Sequence, residues 1–213
     1  MKQKITRILY WLAFIILIGV GLLIRFYDLY EPPLDFNSTR QLHSALIARG
    51  MYYQGLESAP QWQRDVAVRQ WQAEGLIEPP ILEVLSAATY HLIGSEQLWV
   101  PRVYSILFWV VGGVFLFFLA GELAGGWAAL VALAYFLILP FGAIASRAFQ
   151  PDPLLTASII IAWWAMVRWY RKPDWGRLLA AGLLAGLSIF IKTTAVFFVG
   201  FAWMGLILGS MGL

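Results

Sequence analysis

The chain has 213 residues, of which 61% are hydrophobic, 16% aromatic and only 13% charged, and its mean hydropathy is +0.72. That composition excludes an ordinary soluble domain and identifies an integral membrane protein. With no cysteine there is neither a disulfide framework nor a thiolate metal site, and a net charge of +3 suits basic membrane-flanking segments without a nucleic-acid patch.

In chain order, "MKQKITR" opens onto an apolar run over 8–24. The run is longer than the apolar region of a signal peptide and no small-x-small cleavage site follows, so it reads as a retained signal anchor. Residues 25–79 are dense in charged and polar residues and form a long polar excursion. Within it, "NSTRQLHSALIARGMYYQG" reads as a surface helix, with Ser38 and Gln41 as a capping box, Leu42, Ala45 and Leu46 on one face, and Gly50 and Gly55 suited to its end. "APQWQRDVAVRQWQAEG" reads as a second, its tryptophans at headgroup depth on the bilayer surface. Apolar runs then follow over 103–120, 127–145, 154–170, 178–191 and 195–213. Most approach the ~20 residues that cross ~30 Å of hydrocarbon as helix, which predicts about six spanning helices in an all-α polytopic fold. "GELAGG" and "AGLLAGL" read as small-residue helix contacts.

The stretch 81–93 is ambiguous: it follows "EPP", stops at Gly94 and contains Glu83 and His91. As a helix it is ~20 Å long, too short to cross. If it crossed, Arg168, Arg171, Lys172 and Arg177 would move outside, against the positive-inside rule. The expected topology therefore keeps the N-terminus and 168–177 cytoplasmic, and 25–101 and 146–153 external. Asp35, Glu78, Arg147 and Asp152 can then meet, and only Glu122 and Asp174 among the acids lie inside.

The order of a basic anchor, an external loop of two surface helices, "EPPILEVLSAATYHLIGSEQLWVPR", "RAFQPDPLL" and "AGLLAGLSIFIKTTA" resembles the N-terminal half of membrane glycosyltransferases of the GT-C fold, the group of protein O-mannosyltransferases and of aminoarabinose transferases. The resemblance implies sugar transfer, usually with inversion, from a polyprenyl-phosphate donor to a lipid, glycan or protein acceptor at the extracytoplasmic membrane face. It also implies roles for particular residues. Asp35 in "PPLDFNSTRQ" is the candidate for the family's acidic base or acceptor-binding residue. Glu78 falls at the acid of the "E-K-P" or "K-P-P" motif. Arg102 matches the arginine that opens the second span, Asp152 the aspartate of the "P-D-P" motif, and Lys192 the lysine of the "T-K" motif. Two departures stand out: Arg40 and Gln41 replace the usual Asp-Glu pair, and Pro79 stands where some members carry a phosphate-gripping lysine.

Inverting transfer needs a carboxylate near the attacking oxygen and positive charge near the departing phosphate. Asp35 and Asp152 are the candidate catalytic carboxylates. Asp35 is otherwise a solvated turn residue, and Asp152 a helix N-cap. Arg102, Arg147 and Lys192 are candidates for the donor phosphate. Lys192 interrupts "LSIFIKTTAVFF", where an ammonium is costly and marks a site or a snorkel; Arg102 is otherwise a headgroup anchor, and Arg147 an ordinary flanking arginine. Glu78, before two prolines, is held in an extended turn and, with Arg40 and His43, is a candidate for positioning substrate. Neither His43 nor His91 has a histidine or acid at i+3 or i+4, so no metal site is expected, and no cofactor is called for.

The expected organisation is one transmembrane domain over 1–213, the N-terminal part of a larger GT-C module or a fragment of one. The rival function is a non-catalytic membrane protein that binds polyprenyl lipid or assists assembly on the same scaffold. Replacement of the Asp-Glu pair favours the rival; Asp35, Asp152 and Lys192 favour the enzyme. A transporter fits less well, because the ionisable residues gather at one face instead of lining spans toward the midplane.

Overall fold

The computed structural model describes residues 2–211, and among them there are ten helices and no strand. The chain runs α1 (Lys2–Phe26), α2 (Ser38–Gln54), α3 (Gln61–Ala73), α4 (Ile81–Ile93), α5 (Trp99–Ala124), α6 (Gly126–Ile138), α7 (Pro140–Ala145), α8 (Asp152–Arg171), α9 (Trp175–Ile191) and α10 (Ala195–Ser210). Two segments, Lys4–Phe26 and Trp99–Ala124, are long and apolar enough to cross a membrane; α4, α6, α9 and α10 are shorter apolar helices. The protein is an all-α membrane protein. The last two residues of the predicted run 195–213 lie outside the described residues.

The long helices form a bundle in which α8 packs against α5, α9 and α10, α5 against α6, and α1 against α6 and α5. Small residues permit the tightest approach: a Cβ on Gly112 of α5 would lie 3.0 Å from the Ala157 Cα of α8, close-packing of the kind that holds helices together in lipid, where apolar burial drives little association. In "AGLLAGL" the contact is made by Ala181 and Ala185, both buried. Gly182 and Gly186 face open space.

The predicted run over 127–145 is broken. Pro140 has no N–H and drives Leu139 to an extended conformation, φ −55° and ψ 127°, so α6 stops and α7 restarts at Pro140. The carbonyls freed by the break are recovered from other helices. Trp109 Nε1 donates to Phe136 O at 3.2 Å and Arg25 Nη1 to Leu137 O at 2.8 Å.

Helices α2, α3 and α4 form a separate layer at one end, with α2 packed between α3 and α4. The capping box does not form. Asn37 is the N-cap, in the left-handed region at φ 48°, with no side-chain cap bond, because Gln41 turns inward and is fully buried. Leu42, Ala45 and Leu46 do share a face, but Leu42 is exposed and the other two half-buried; the inner face is Gln41, Ser44, Ile47 and Ala48. Gly50 lies inside the helix rather than at its end, pressed against Trp71 of α3, while Gly55 is the C-cap. Trp62 is exposed, as a headgroup residue would be, whereas Trp71 is packed.

Helix α4 begins after Pro80 and ends at Gly94, φ 75°. Its two flanks return to the same end of the bundle: Glu78 before it and Arg102 after it both join the ion-pair cluster built around the start of α2. It therefore does not run the length of the bundle.

Candidate active site

The site grows from the turn between α1 and α2. Asp28 (φ 52°) and Asn37 (φ 48°) take left-handed conformations that fold the chain back, and two arginines from later elements fasten it. Arg102, in the first turn of α5 and 1% exposed, donates to Asp28 O at 3.3 Å, Pro32 O at 3.2 Å and Asp35 Oδ1 at 3.3 Å. It is thus buried inside the protein, where a headgroup anchor would be exposed. Arg147, just past α7, donates to Tyr27 O and, at 2.9 Å, to Asp35 Oδ2. Gln41 Nε2 adds bonds to Phe36 O at 2.7 Å and Asp35 Oδ1 at 3.3 Å, and Gln41 Oε1 accepts from Phe149 N at 3.0 Å.

Asp35 is therefore no free turn residue. Burial works to raise its carboxyl, but the bonds from Arg147 and Gln41 and the charge of Arg102 outweigh burial and hold it below the usual carboxylate range.

A second group lies one residue along α2. Arg40 Nη2 donates to both oxygens of Glu78, at 2.9 and 2.8 Å. Lys192 Nζ donates to Asp152 Oδ1 at 3.0 Å and lies 3.7 Å from Glu78 Oε1. Asp152 is the first residue of α8 and makes no side-chain cap, so its carboxylate serves Lys192 instead. Lys192 caps the end of α9, before the short turn into α10; it stands at a helix mouth rather than within an apolar span. Together Arg40, Arg102, Arg147 and Lys192 face Asp35, Glu78 and Asp152. Glu31 also lies close enough to act on Arg102, so four cations stand against four carboxylates.

His43 is displaced from this cluster. Its Nδ1 lies 2.7 Å from Glu74 Oε2, and it lines, with Arg40, Ser44, Glu78, Glu83 and Pro151, a cavity of about 10 Å³, room for about one water. Sequence reasoning gave Glu83 no role; its side chain is buried against Ser44, and burial pushes its carboxyl up, against the lowering effect of that hydrogen bond and of His43. Gln41 was legible only as a cap, because an inward-turned glutamine has no sequence mark. Arg25 was missed altogether: it ends an apolar run as a snorkelling arginine does, yet it is fully buried and donates to Ser146 Oγ, Gly21 O and Leu137 O.

At the opposite end of the bundle Glu122 meets Arg168 and Arg171, and Trp164 Nε1 donates to Glu122 Oε1 at 3.1 Å. Among the described residues no group of three or more histidines and acids is arranged to hold a metal ion.

No curated protein and no solved structure matches the chain. A family model for dolichyl-phosphate-mannose-protein mannosyltransferases matches residues 77–211, a span that includes Glu78, Arg102, Arg147, Asp152 and Lys192 and leaves Asp35, Arg40 and His43 upstream of it. On that match, over most of its length, the chain belongs to the dolichyl-phosphate-mannose-protein mannosyltransferase family, membrane glycosyltransferases of the GT-C type.

Proposed function

We propose that the chain transfers a sugar from a polyprenyl-phosphate donor to a lipid, glycan or protein acceptor at the extracytoplasmic face. In this reading α1, α5, α6 with α7, α8, α9 and α10 all cross the bilayer, the N-terminus and the Arg168–Arg171 end are cytoplasmic, and the whole is one transmembrane unit, the N-terminal part of a larger GT-C module. The positive-inside rule supports this orientation. The observation that carries the function is the gathering of Asp35, Glu78 and Asp152 with Arg102, Arg147 and Lys192 at one end of the bundle, each carboxylate beside a cation.

The chemistry follows from those groups. An acceptor hydroxyl oxygen attacks the anomeric carbon from the side opposite the phosphate and forms the new C–O bond. The old bond between that carbon and the phosphate oxygen breaks, and its electron pair leaves with the phosphate. The hydroxyl proton passes to a carboxylate, for which Asp35 is the candidate, with Asp152 as the second acid at the acceptor. The phosphate gains a negative charge as it departs, and Arg102, Arg147 and Lys192 stabilise it. Arg40 and Glu78 fix the rim, and His43 with Glu74 braces the start of α2.

A second reading, binding of polyprenyl lipid without transfer, is favoured by Arg40 and Gln41. Both are engaged in holding the layer together and neither offers a base. The two readings part in liposomes that hold the purified chain, a radiolabelled polyprenyl-phosphate sugar and a lipid or peptide acceptor. Transfer that D35N and D152N each abolish, with helical content retained, supports the enzyme. Donor binding with no turnover by the wild type supports the rival, and turnover unaffected by both substitutions removes the assigned roles.

A further inference from the structure

We infer that Asp35 keeps the donor-phosphate site shut in the unliganded protein, its carboxylate occupying the place between Arg102 and Arg147 that the phosphate takes, so that donor binding itself releases the base. The inference rests on the reading above in which these two arginines receive the phosphate.

The first ground is geometric. Each Asp35 oxygen meets a different guanidinium, Oδ1 that of Arg102 at 3.3 Å and Oδ2 that of Arg147 at 2.9 Å. One small oxyanion is thus gripped between two forks, as a phosphate is.

The second ground is what the carboxylate leaves undone. The Nε atoms of Arg102 and Arg147 are both buried and neither has a hydrogen-bond partner. A buried guanidinium donor without an acceptor is costly. Carboxylate and donor phosphodiester each present two free oxygens, but the departing phosphate monoester presents three. The third is the oxygen released from the sugar, where the charge develops. Donors idle in the ground state and engaged as that oxygen forms stabilise the transition state more than the bound donor.

The third ground is how the carboxylate itself is held. Leu29 and Pro33 are buried and Phe36 meets Phe141, so the backbone of the turn is anchored, but the Asp35 side chain is 27% exposed. Its place is set by the hydrogen bonds of Arg102, Arg147 and Gln41, which an incoming phosphate competes for directly. Once released from two cations the carboxylate binds a proton more readily. The same exchange that seats the donor therefore restores the basicity that the acceptor step needs, and water finds no free base while the site is empty.

The test is the affinity of the protein in nanodiscs for undecaprenyl phosphate, measured for the wild type, D35N and R147Q. A self-occupied site reduces apparent affinity by the fraction of time it is open, so D35N binds about tenfold more tightly if the wild-type site is open about one-tenth of the time, and R147Q binds more weakly. D35S, which also removes the charge and is smaller, shows the same tightening and guards against a folding defect peculiar to D35N. Weaker binding by R147Q with unchanged or weaker binding by both Asp35 variants overturns the exchange and leaves the phosphate site standing. Unchanged affinity in all three overturns the phosphate site as well.

Discussion

Lys192 Nζ lies 3.0 Å from Asp152 Oδ1, joining the residue that ends α9 to the residue that begins α8. Two helix mouths that are 40 positions apart in the chain are thereby held at one point, beside Glu78. The pair is partly open to solvent, with side-chain exposures of 26 and 44%, so solvent screening keeps its share of stability small.

The Lys192→Met protein is therefore expected to unfold within about 1 kcal/mol of the wild type. Sugar transfer should nonetheless fall on the order of 10²-fold, the loss typical of removing one stabilising group from a developing oxyanion. Thermal unfolding in detergent and a transfer assay on the same preparation separate the two effects; a large loss of stability with little loss of turnover would assign Lys192 a purely structural role.

Arg25 has the opposite profile. It touches none of the ion pairs of the site, yet its guanidinium satisfies Leu137 O at the helix break and bonds Ser146 just ahead of Arg147. Arg25→Met strands those acceptors and should cost about 3 kcal/mol, the range for lost hydrogen bonds to a charged group. Arg25→Lys should recover part of it. Chemical or thermal denaturation of both variants checks the order.

Gly50 has no room for a side chain. A Cβ there would lie 2.3 Å from Trp71 Cβ, so Gly50→Ala must push α2 and α3 apart, at about 1–3 kcal/mol for overpacking. Faster proteolysis within the loop between α2 and α3, with unchanged cleavage elsewhere, is the expected signature.

Two carboxyls give opposite pH dependences. Asp35 is held below its ordinary range, so its stabilising contribution is present above the unfolded pKa and disappears as pH falls through the lower folded value. Glu83 is pushed up, so its folded state is fully favoured below the unfolded pKa and weakens as pH rises through the folded value. D35N should thus lose stability relative to the wild type at pH 7 and close the gap in acid, whereas E83Q should gain at pH 7 and lose that gain in acid. Thermal melts of the three proteins from about pH 2 to about pH 8 test both signs, since the Asp35 gap closes only below an unfolded pKa of about 3.9.

Pro80 and Gly94 mark ends that the structure repeats at α4, because a missing N–H or a left-handed residue acts within one turn of itself. Pro140 shows the limit of that locality: the proline is visible, but whether an apolar run survives it depends on what takes the freed carbonyls, and those partners, Trp109 and Arg25, come from other helices. That Arg147 and Asp152 emerge at one end was legible because both border apolar runs, and the alternation of runs assigns such borders to faces; that Asp35 and Glu78 share that end followed only from reading 81–93 as too short to cross. Which cation holds which acid was not legible. Arg102 and Arg147 could equally have faced headgroups, and Gln41 could have capped its own helix.

Composition and the periodic return of apolar length determined by themselves that this is a helical membrane protein with its ionisable groups kept toward the ends of the bundle, since the cost of placing charge in hydrocarbon is set residue by residue. The tertiary structure alone decided that Asp35 is clasped by two arginines, that Lys192 joins Asp152, and that Arg25 and Glu83 lie buried. Each of these pairs depends on side-chain reach between elements distant in the chain, a geometry that no local pattern encodes.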